Sequence, residues 1–286
     1  MNIREQVDAD FSKARRKAFL RRIGSYLRND PGSNQLLSFE EVKKALGALN
    51  QVYLGMRTVE LKKIVGSVGR HRDFDRAFLP SKGGNRERWK KIDEMMRRAT
   101  ELPPVSLYKI GDAYFVQDGN HRVSVARQRG VDVIDAEVTE LRTRVPVDSA
   151  LTAESLLHKM EYRQLLERLP LDRVLPEINV EFSDVADYRR LATYVEAHGF
   201  RLSQLWRRYV SQEEVLMDWY EYSYKPIIEM VREDRILETF NGRTELDIYL
   251  WIIHRREQLV LESRDETVST KTAKDSILKK GPRRRK

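Results

Sequence analysis

Asp118-Gly119-Asn120-His121-Arg122-Val123-Ser124-Val125-Ala126-Arg127 is the stretch whose reading decides the fold. Upstream of it runs an apolar-aromatic segment, Tyr108 to Val116, with Gly111-Asp112 at its middle. That pattern reads as a β-hairpin. Downstream, a helical periodicity continues to Gly130, a natural helix stop. The decapeptide therefore joins a hairpin to a helix through a tight glycine turn, with His121 and Arg122 at the mouth of the helix. A helix start presents unpaired backbone N–H groups and a partial positive charge, which suits an anion and above all a phosphate. His121 would add a donor there and Arg122 a permanent cation.

Working outward, the first thirty residues read as a helix with a rough apolar stripe of Phe11, Ala14, Ala18, Phe19, Leu20 and Ile23. Asp30 to Asn34 is a turn, and Ser38 with Glu41 has the spacing of a capping box that opens a helix through Leu46. Met56 to Val65 predicts a strand, followed by the loop Gly66 to Arg72 and a polar glycine loop, Ser81 to Asn85. Arg86 to Thr100 predicts a helix carrying Trp89, Ile92, Met95 and Met96, halted by Pro103-Pro104. A strand over Val131 to Val138 completes a mixed unit. Beyond Thr139 the pattern is mainly helical. Helices are expected over Thr152 to Leu169, over Val185 to Ala197 with Gly199 as a stop, from Ser211 to about Tyr222, from Pro226 to about Phe240, and from Thr244 to about Leu261. Asn179 to Phe182 reads as a short strand.

The chain has 286 residues, 34% of them charged, and a formal net charge of +9. Of that, +6 falls in the last 24 residues, from Ser263 onward, leaving about +3 for the rest. This last segment lacks apolar periodicity and reads as a disordered tail. Its cluster Lys279, Lys280, Arg283, Arg284, Arg285 and Lys286 would attract nucleic acid or an acidic partner without sequence specificity. There is no cysteine, which excludes disulfides, thiol catalysis and cysteine-based zinc sites. The histidines lack metal-ligand spacing, so no metal site built from a protein cluster is expected. No stretch has the length and apolarity of a membrane span, and the polar N-terminus does not read as a signal peptide, so a cytoplasmic protein is expected.

Val59-Glu60-Leu61-Lys62-Lys63-Ile64-Val65, followed by Gly69-Arg70-His71-Arg72-Asp73-Phe74-Asp75, resembles the opening strand and loop of ParB-like domains. The helix from Arg86, Pro103-Pro104-Val105, the tyrosine-containing hairpin and Asp118-Gly119-Asn120-His121-Arg122 resemble the rest, in the same order. ParB proteins carry a Gly-Glu-Arg-Arg version of the last motif and sulfiredoxins a Gly-Gly-Cys-His-Arg version. The resemblance spans residues 58–140. It implies an α+β, ParB/sulfiredoxin-like mixed domain at 58–140, with a helical N-terminal arm at 1–57, a mainly α-helical C-terminal domain at 141–262 and the basic tail at 263–286. Tyr162 to Leu166, Tyr220 to Pro226 and Phe240 to Trp251 resemble an uncharacterised helical region that follows such modules in bacterial proteins, which assigns no activity.

In that superfamily the glycine turn and helix start grip nucleotide phosphates. ParB proteins bind CTP and load onto DNA, sulfiredoxins use ATP, and a serine kinase and nucleases share the fold. By this resemblance Gly119, Asn120, His121 and Arg122 would hold the phosphates of a nucleoside triphosphate or diphosphate, and Arg70, His71 and Arg72 would face the same ligand. Asn120 stands where sulfiredoxins have their reactive cysteine, so sulfinic-acid repair is excluded. No helix-turn-helix of the kind that reads centromere sites follows residue 140. The expected function is a nucleotide-binding, DNA-associated or transcription-regulatory protein. The alternative is a phosphotransferase or hydrolase in which Asp118 or Asp73 works with Mg2+ as catalytic carboxylate. A third class is an interaction protein with a vestigial pocket. Asp73 and Asp75 also fit a plain turn before Phe78, and the sequence leaves a homodimer open.

Overall fold

The computed structural model describes residues 3–27, 34–81, 86–98, 100, 102–265 and 267–280, without the side chains of 22, 24–27 and 280. Most of the turn at 30–34 and of the loop at 81–85 lies outside the described residues, as do Arg283 to Lys286. The chain divides into two compact units, Met1–Lys159 and Met160–Lys286.

The first unit is built on a six-stranded mixed sheet. Its strands are β1 (Leu37–Ser38), β2 (Gln51–Glu60), β3 (Ile64–Ser67), β4 (Val105–Ile110), β5 (Ala113–Asp118) and β6 (Val133–Leu141), in the order β1-β3-β5-β4-β6-β2. β1 with β3, β3 with β5, and β4 with β6 are parallel, whereas β4–β5 and β2–β6 are antiparallel. The expected strand over Met56 to Val65 is in fact two, because Leu61–Lys63 form a 3-10 turn between β2 and β3. β2 reaches back to Gln51 and pairs with β6 from Gln51↔Leu141 to Glu60↔Val133. The expected boundary between an N-terminal arm and a domain at 57/58 therefore falls inside a strand.

Four helices accompany the sheet: α1 (Ile3–Leu27), α2 (Phe39–Leu46), α3 (Arg86–Arg97) and α4 (Asn120–Gln128). α1 buries Val7, Phe11, Ala14 and Ala18, spaced by a helical turn, while Phe19, Leu20 and Ile23 of the expected stripe are exposed. Phe11, Ala14 and Ala18 join Leu79, Trp89 and Val125 in one cluster, so α1 and α3 cover α4. The opposite face of α4 offers Val123 and Ala126 to the sheet residues Val105, Leu107, Val116, Ala136 and Val138. Ser38 sits at the N-cap of α2 without a side-chain cap bond, so the capping box expected with Glu41 does not form.

The second unit is helical. α5 (Ala153–Arg168) carries the chain across the division, followed by α6 (Leu171–Val174), α7 (Ala186–Trp206), α8 (Gln212–Trp219), α9 (Lys225–Glu233), α10 (Ile236–Thr239), α11 (Glu245–Ser263) and α12 (Thr270–Lys280). Capping boxes Ser211/Glu214 and Thr244/Asp247 start α8 and α11 as their spacing predicts. Asn179 to Phe182 forms no strand. Gly199 does not stop α7. The helix runs through it, and a Cβ there would stand 2.8 Å from Val215 Cγ2, so the glycine serves close approach of α8.

α8 and α9 are continuous through a π-helical turn, Tyr220–Tyr224. Pro226 lacks an N–H and its ring crowds the carbonyl four residues back, at Tyr222; the widened turn accommodates it. Around this turn Trp219 Nε1 donates to Tyr249 Oη at 2.8 Å, and Ser223 Oγ lies 2.9 Å from the same oxygen. The segment expected to be a disordered tail contains α12, whose Ala273 is fully buried and whose Lys274 pairs with Asp234. Two apolar positions one turn apart, Ala273 and Ile277, are enough to dock this otherwise charged helix on the core.

Candidate functional site

β5 ends at Asp118, Gly119 turns the chain, and α4 begins at Asn120. Gly119 has φ +101°, and a Cβ on it would stand 2.6 Å from Val105 Cγ1, so both conformation and space require glycine. The first intrahelical bond of α4 runs from Val123 N to Gly119 O at 3.0 Å. The N–H groups of Asn120, His121 and Arg122 precede that bond and carry the positive end of the helix. They open on a cleft of about 430 Å³ walled by Arg70, Arg88, Ile92 and Gln117 together with residues 118–122.

Asn120 and His121 are buried, at 5% and 4% exposure, yet Asn120 Oδ1 and His121 Nδ1 have no hydrogen-bond partner among the described residues. A buried polar atom left unsatisfied costs roughly 1–3 kcal/mol. His121 stands edge-on to Phe74, with ring centroids 5.3 Å apart, and its Nε2 is 3.4 Å from Arg70 Nη1. Burial, and then the charges of Arg70 and Arg88, push the His121 imidazole down to about 4, so it is neutral near pH 7.

Arg122 lines the cleft but is committed to structure. Its guanidinium donates to the Pro103 carbonyl, to the Pro104 carbonyl at 2.8 Å and to Asp118 Oδ2. It ties the start of α4 to the segment entering β4. Further along α4, Arg127 donates to the carbonyls of Leu61, Ile64 (2.7 Å) and Arg76 (3.2 Å). Ser124 Oγ donates to Phe78 O at 2.5 Å and accepts from Trp89 Nε1 at 2.9 Å. These bonds fix α4 on β3, α3 and the 70–80 loop, and so hold the helix mouth in place.

The structure brings Gly119, Asn120, His121, Arg122, Asp118 and Arg70 together in one cleft wall. It separates the rest of the basic loop: Arg72 is exposed and His71 half-buried, and neither borders the cleft. Asp73 Oδ2 accepts from Arg70 Nε at 3.1 Å, and Asp118 is paired with Arg122. Asp75 Oδ1 accepts from Ala77 N at 2.9 Å and Leu79 N at 2.8 Å, bracing the turn before Phe78. Lys279 is exposed on the last turn of α12, in the second compact unit.

Sequence reasoning missed Arg88, Ile92 and Gln117. Arg88 and Ile92 are four residues apart and therefore share one helix face. Arg88 is exposed and joins no ion pair among the described residues. The spacing was visible, but reading Ile92 as core alone hid the cationic position beside it.

The arrangement defines a class: an α+β protein whose hairpin-to-helix glycine turn faces a cationic cleft. Among solved structures, a sulfiredoxin from Arabidopsis thaliana is similar at 15% identity over 37% of this chain and 96% of that one, with a TM-score of 0.24. A Pnob8-like ParB-N domain is similar at 11% identity over 77% of this chain and 87% of that one, with a TM-score of 0.23. A second structure of a pNOB8-like ParB N-domain gives 12% identity, 77% and 82% coverage and a TM-score of 0.23. No family model and no curated protein matches the chain. Among the described residues no helix is long and apolar enough to cross a membrane.

Proposed function

We propose that the cleft at the start of α4 binds the phosphates of a nucleoside triphosphate or diphosphate, and that the protein is a nucleotide-responsive, DNA-associated regulator. The observation that carries the reading is the convergence at one place of three unbonded helix-start N–H groups with Arg70 and Arg88. His121 Nδ1 supports it: with Nε2 accepting from Arg70, the neutral ring keeps its proton on Nδ1, a buried donor without an acceptor. A phosphate oxygen is an acceptor of the right kind for every one of these donors. Mg2+ would enter with the nucleotide, held by phosphate oxygens and water.

Binding would favour whichever conformation holds the loop of Arg70 and the helix of Arg88 closed on the phosphate, which requires different affinities for the two states. The DNA-associated part rests on charge, since +6 of the chain's +9 lies in its last 24 residues. A kinase or hydrolase would need Asp118 or Asp73 as a working carboxylate, and each is held by an arginine. The phosphate reading needs neither to move.

A panel of ribonucleoside triphosphates and diphosphates with Mg2+, read by thermal shift, tests the proposal. At least one nucleotide is expected to raise Tm in the wild-type chain and to raise it much less in Arg88→Ala. Equal shifts in both chains, or none in either, would overturn it.

A further inference from the structure

The second compact unit holds a larger cleft, of about 710 Å³, against the π-helical turn. A π turn inside a helix is uncommon and is often found at functional sites. Here it places Tyr220 and Tyr224 side by side, with ring centroids 5.8 Å apart and planes 26° from parallel. Both rings border the cleft.

The charges around it are uneven. Arg232 donates through Nε and Nη2 to the two oxygens of Glu245 at 2.6 and 2.7 Å, so that pair neutralises itself. Lys225 is paired with Glu221 at 3.1 Å. Glu177, from the loop after α6, and Glu229, on α9, also line the cleft. Both are exposed and have no ion-pair partner among the described residues. The lining thus holds three carboxylates, Glu177, Glu229 and Glu245, against two cations, Lys225 and Arg232, with Glu229 acting on a Lys225 already bonded to Glu221, so the cleft is net negative.

Tyr224 supplies an independent observation. The residue is only 6% exposed, and its hydroxyl has no hydrogen-bond partner among the described residues. Burial pushes that hydroxyl up to about 12, and Glu245 and Arg232, both in the cleft wall, act on it in opposite directions. A neutral O–H group thus lines the cleft beside the Tyr220 ring, with no hydrogen-bond partner among the described residues.

An inorganic divalent cation wants several converging oxygen ligands and little else. An aromatic face beside separated carboxylates suits a diffuse organic charge instead. We propose that this cleft binds the ammonium or guanidinium group of an organic cation, with Glu177 and Glu229 as counter-ions, the Tyr220 ring as a cation–π face and the Tyr224 hydroxyl as a hydrogen-bond partner. This site is separate from the α4 cleft, whose lining residues all lie in the first unit.

Isothermal titration of the full chain at low salt tests it with two probes. Agmatine carries both cationic groups as a small molecule, and an end-blocked Lys-Arg dipeptide presents them as protein side chains. Saturable one-to-one binding of at least one probe is expected, and the tighter of the two names the source. Affinity is expected to fall about tenfold in the Glu177→Gln/Glu229→Gln double variant and about threefold in Tyr224→Phe. Arg88→Ala serves as the control and is expected to leave the affinity unchanged. The glutamine variants change exposed side chains to neutral isosteres, and an unaltered circular dichroism spectrum checks their fold. No saturable binding of either probe, or an affinity in the double variant equal to wild type, overturns the proposal.

Discussion

His121 Nε2 lies 3.4 Å from Nη1 of Arg70, across the cleft wall from the start of α4. Burial first, and then this cation, disfavour the charged imidazole, and the guanidinium, which can only donate, assigns Nε2 the role of acceptor. The chain thus keeps a neutral histidine at a helix N-terminus, beside Arg70 and Arg88 of the same cleft wall.

This has a consequence for stability. In the unfolded chain His121 titrates near 6.5, while burial followed by the charges of Arg70 and Arg88 lowers it to about 4 in the fold. Between these values the unfolded chain binds more protons, so its contribution to stability is complete above pH 6.5 and is lost as pH falls toward 4. The loss is expected to reach about 3 kcal/mol. Denaturant melts of wild type and His121→Gln between pH 7 and pH 4.5 read it as a slope that flattens in the variant.

If the cleft takes a phosphate as proposed, the same histidine is expected to couple its binding to pH. A bound phosphate offsets the charges of Arg70 and Arg88 and raises the His121 pKa, so binding takes up protons as the solution approaches that range. Nucleotide affinity is expected to strengthen as pH falls from 7 to 5.5, and His121→Gln to lose most of that trend. Titrations at three pH values check this; an affinity that weakens on acidification would contradict the neutral, anion-facing ring.

Arg122 and Arg88 should behave in opposite ways. Arg122 spans the carbonyls of Pro103 and Pro104 and the carboxylate of Asp118 with its side chain only 11% exposed. Arg122→Ala is expected to cost about 2–3 kcal/mol of stability by thermal or denaturant melting. Arg88 is exposed and joins no ion pair among the described residues, so Arg88→Ala should stay within about 0.5 kcal/mol of wild type while weakening the ligand.

Two glycines separate conformation from crowding. Gly130 has φ +72° with open space where a Cβ would stand, and its alanine variant should cost about 1 kcal/mol. Gly119, at φ +101°, would in addition drive a Cβ into Val105, so Gly119→Ala should cost about 2–3 kcal/mol and misplace the α4 mouth. Melting curves of the two variants compare them directly.

DNA association needs a truncation that spares the fold. Removing everything after Ser263 would strip α12, with its buried Ala273 and the Lys274–Asp234 pair, from the helical core. Removing only residues 281–286 takes away Arg283, Arg284, Arg285 and Lys286 and keeps the helix. Mobility shifts over a salt series are expected to show weaker binding and a salt slope shallower by up to about 3–4 units. An unchanged slope would place the DNA contacts elsewhere.

The turn and helix start at residues 118–122 were legible because their physics is local. A glycine after an alternating apolar run, followed by polar residues with helical periodicity, specifies a turn into a helix start, and β5, Gly119 and α4 follow that order. The strand, hairpin and helix order of residues 58–140 followed from the same local signals. What the sequence hid was partnership. The arginine of the motif looked like a ligand group and proved to be a clamp on Pro103 and Pro104, while Arg88, an ordinary helix-surface cation in sequence, lines the cleft. The Ser38/Glu41 spacing matched a capping box that does not form, whereas two boxes of the same spacing in the helical unit were realised. Gly199 read as a stop because glycine ends helices more often than it lets two of them touch.

The most direct measurement follows backbone amides on titration with the nucleotide that gives the largest thermal shift. In a 15N-labelled chain, the N–H resonances of Asn120, His121 and Arg122 are expected to move together and saturably, further than any others, and to stay nearly still in Arg88→Ala at the same nucleotide concentration. Saturable binding that leaves these three resonances in place, or moves them equally in Arg88→Ala, would contradict phosphate capture at the start of α4.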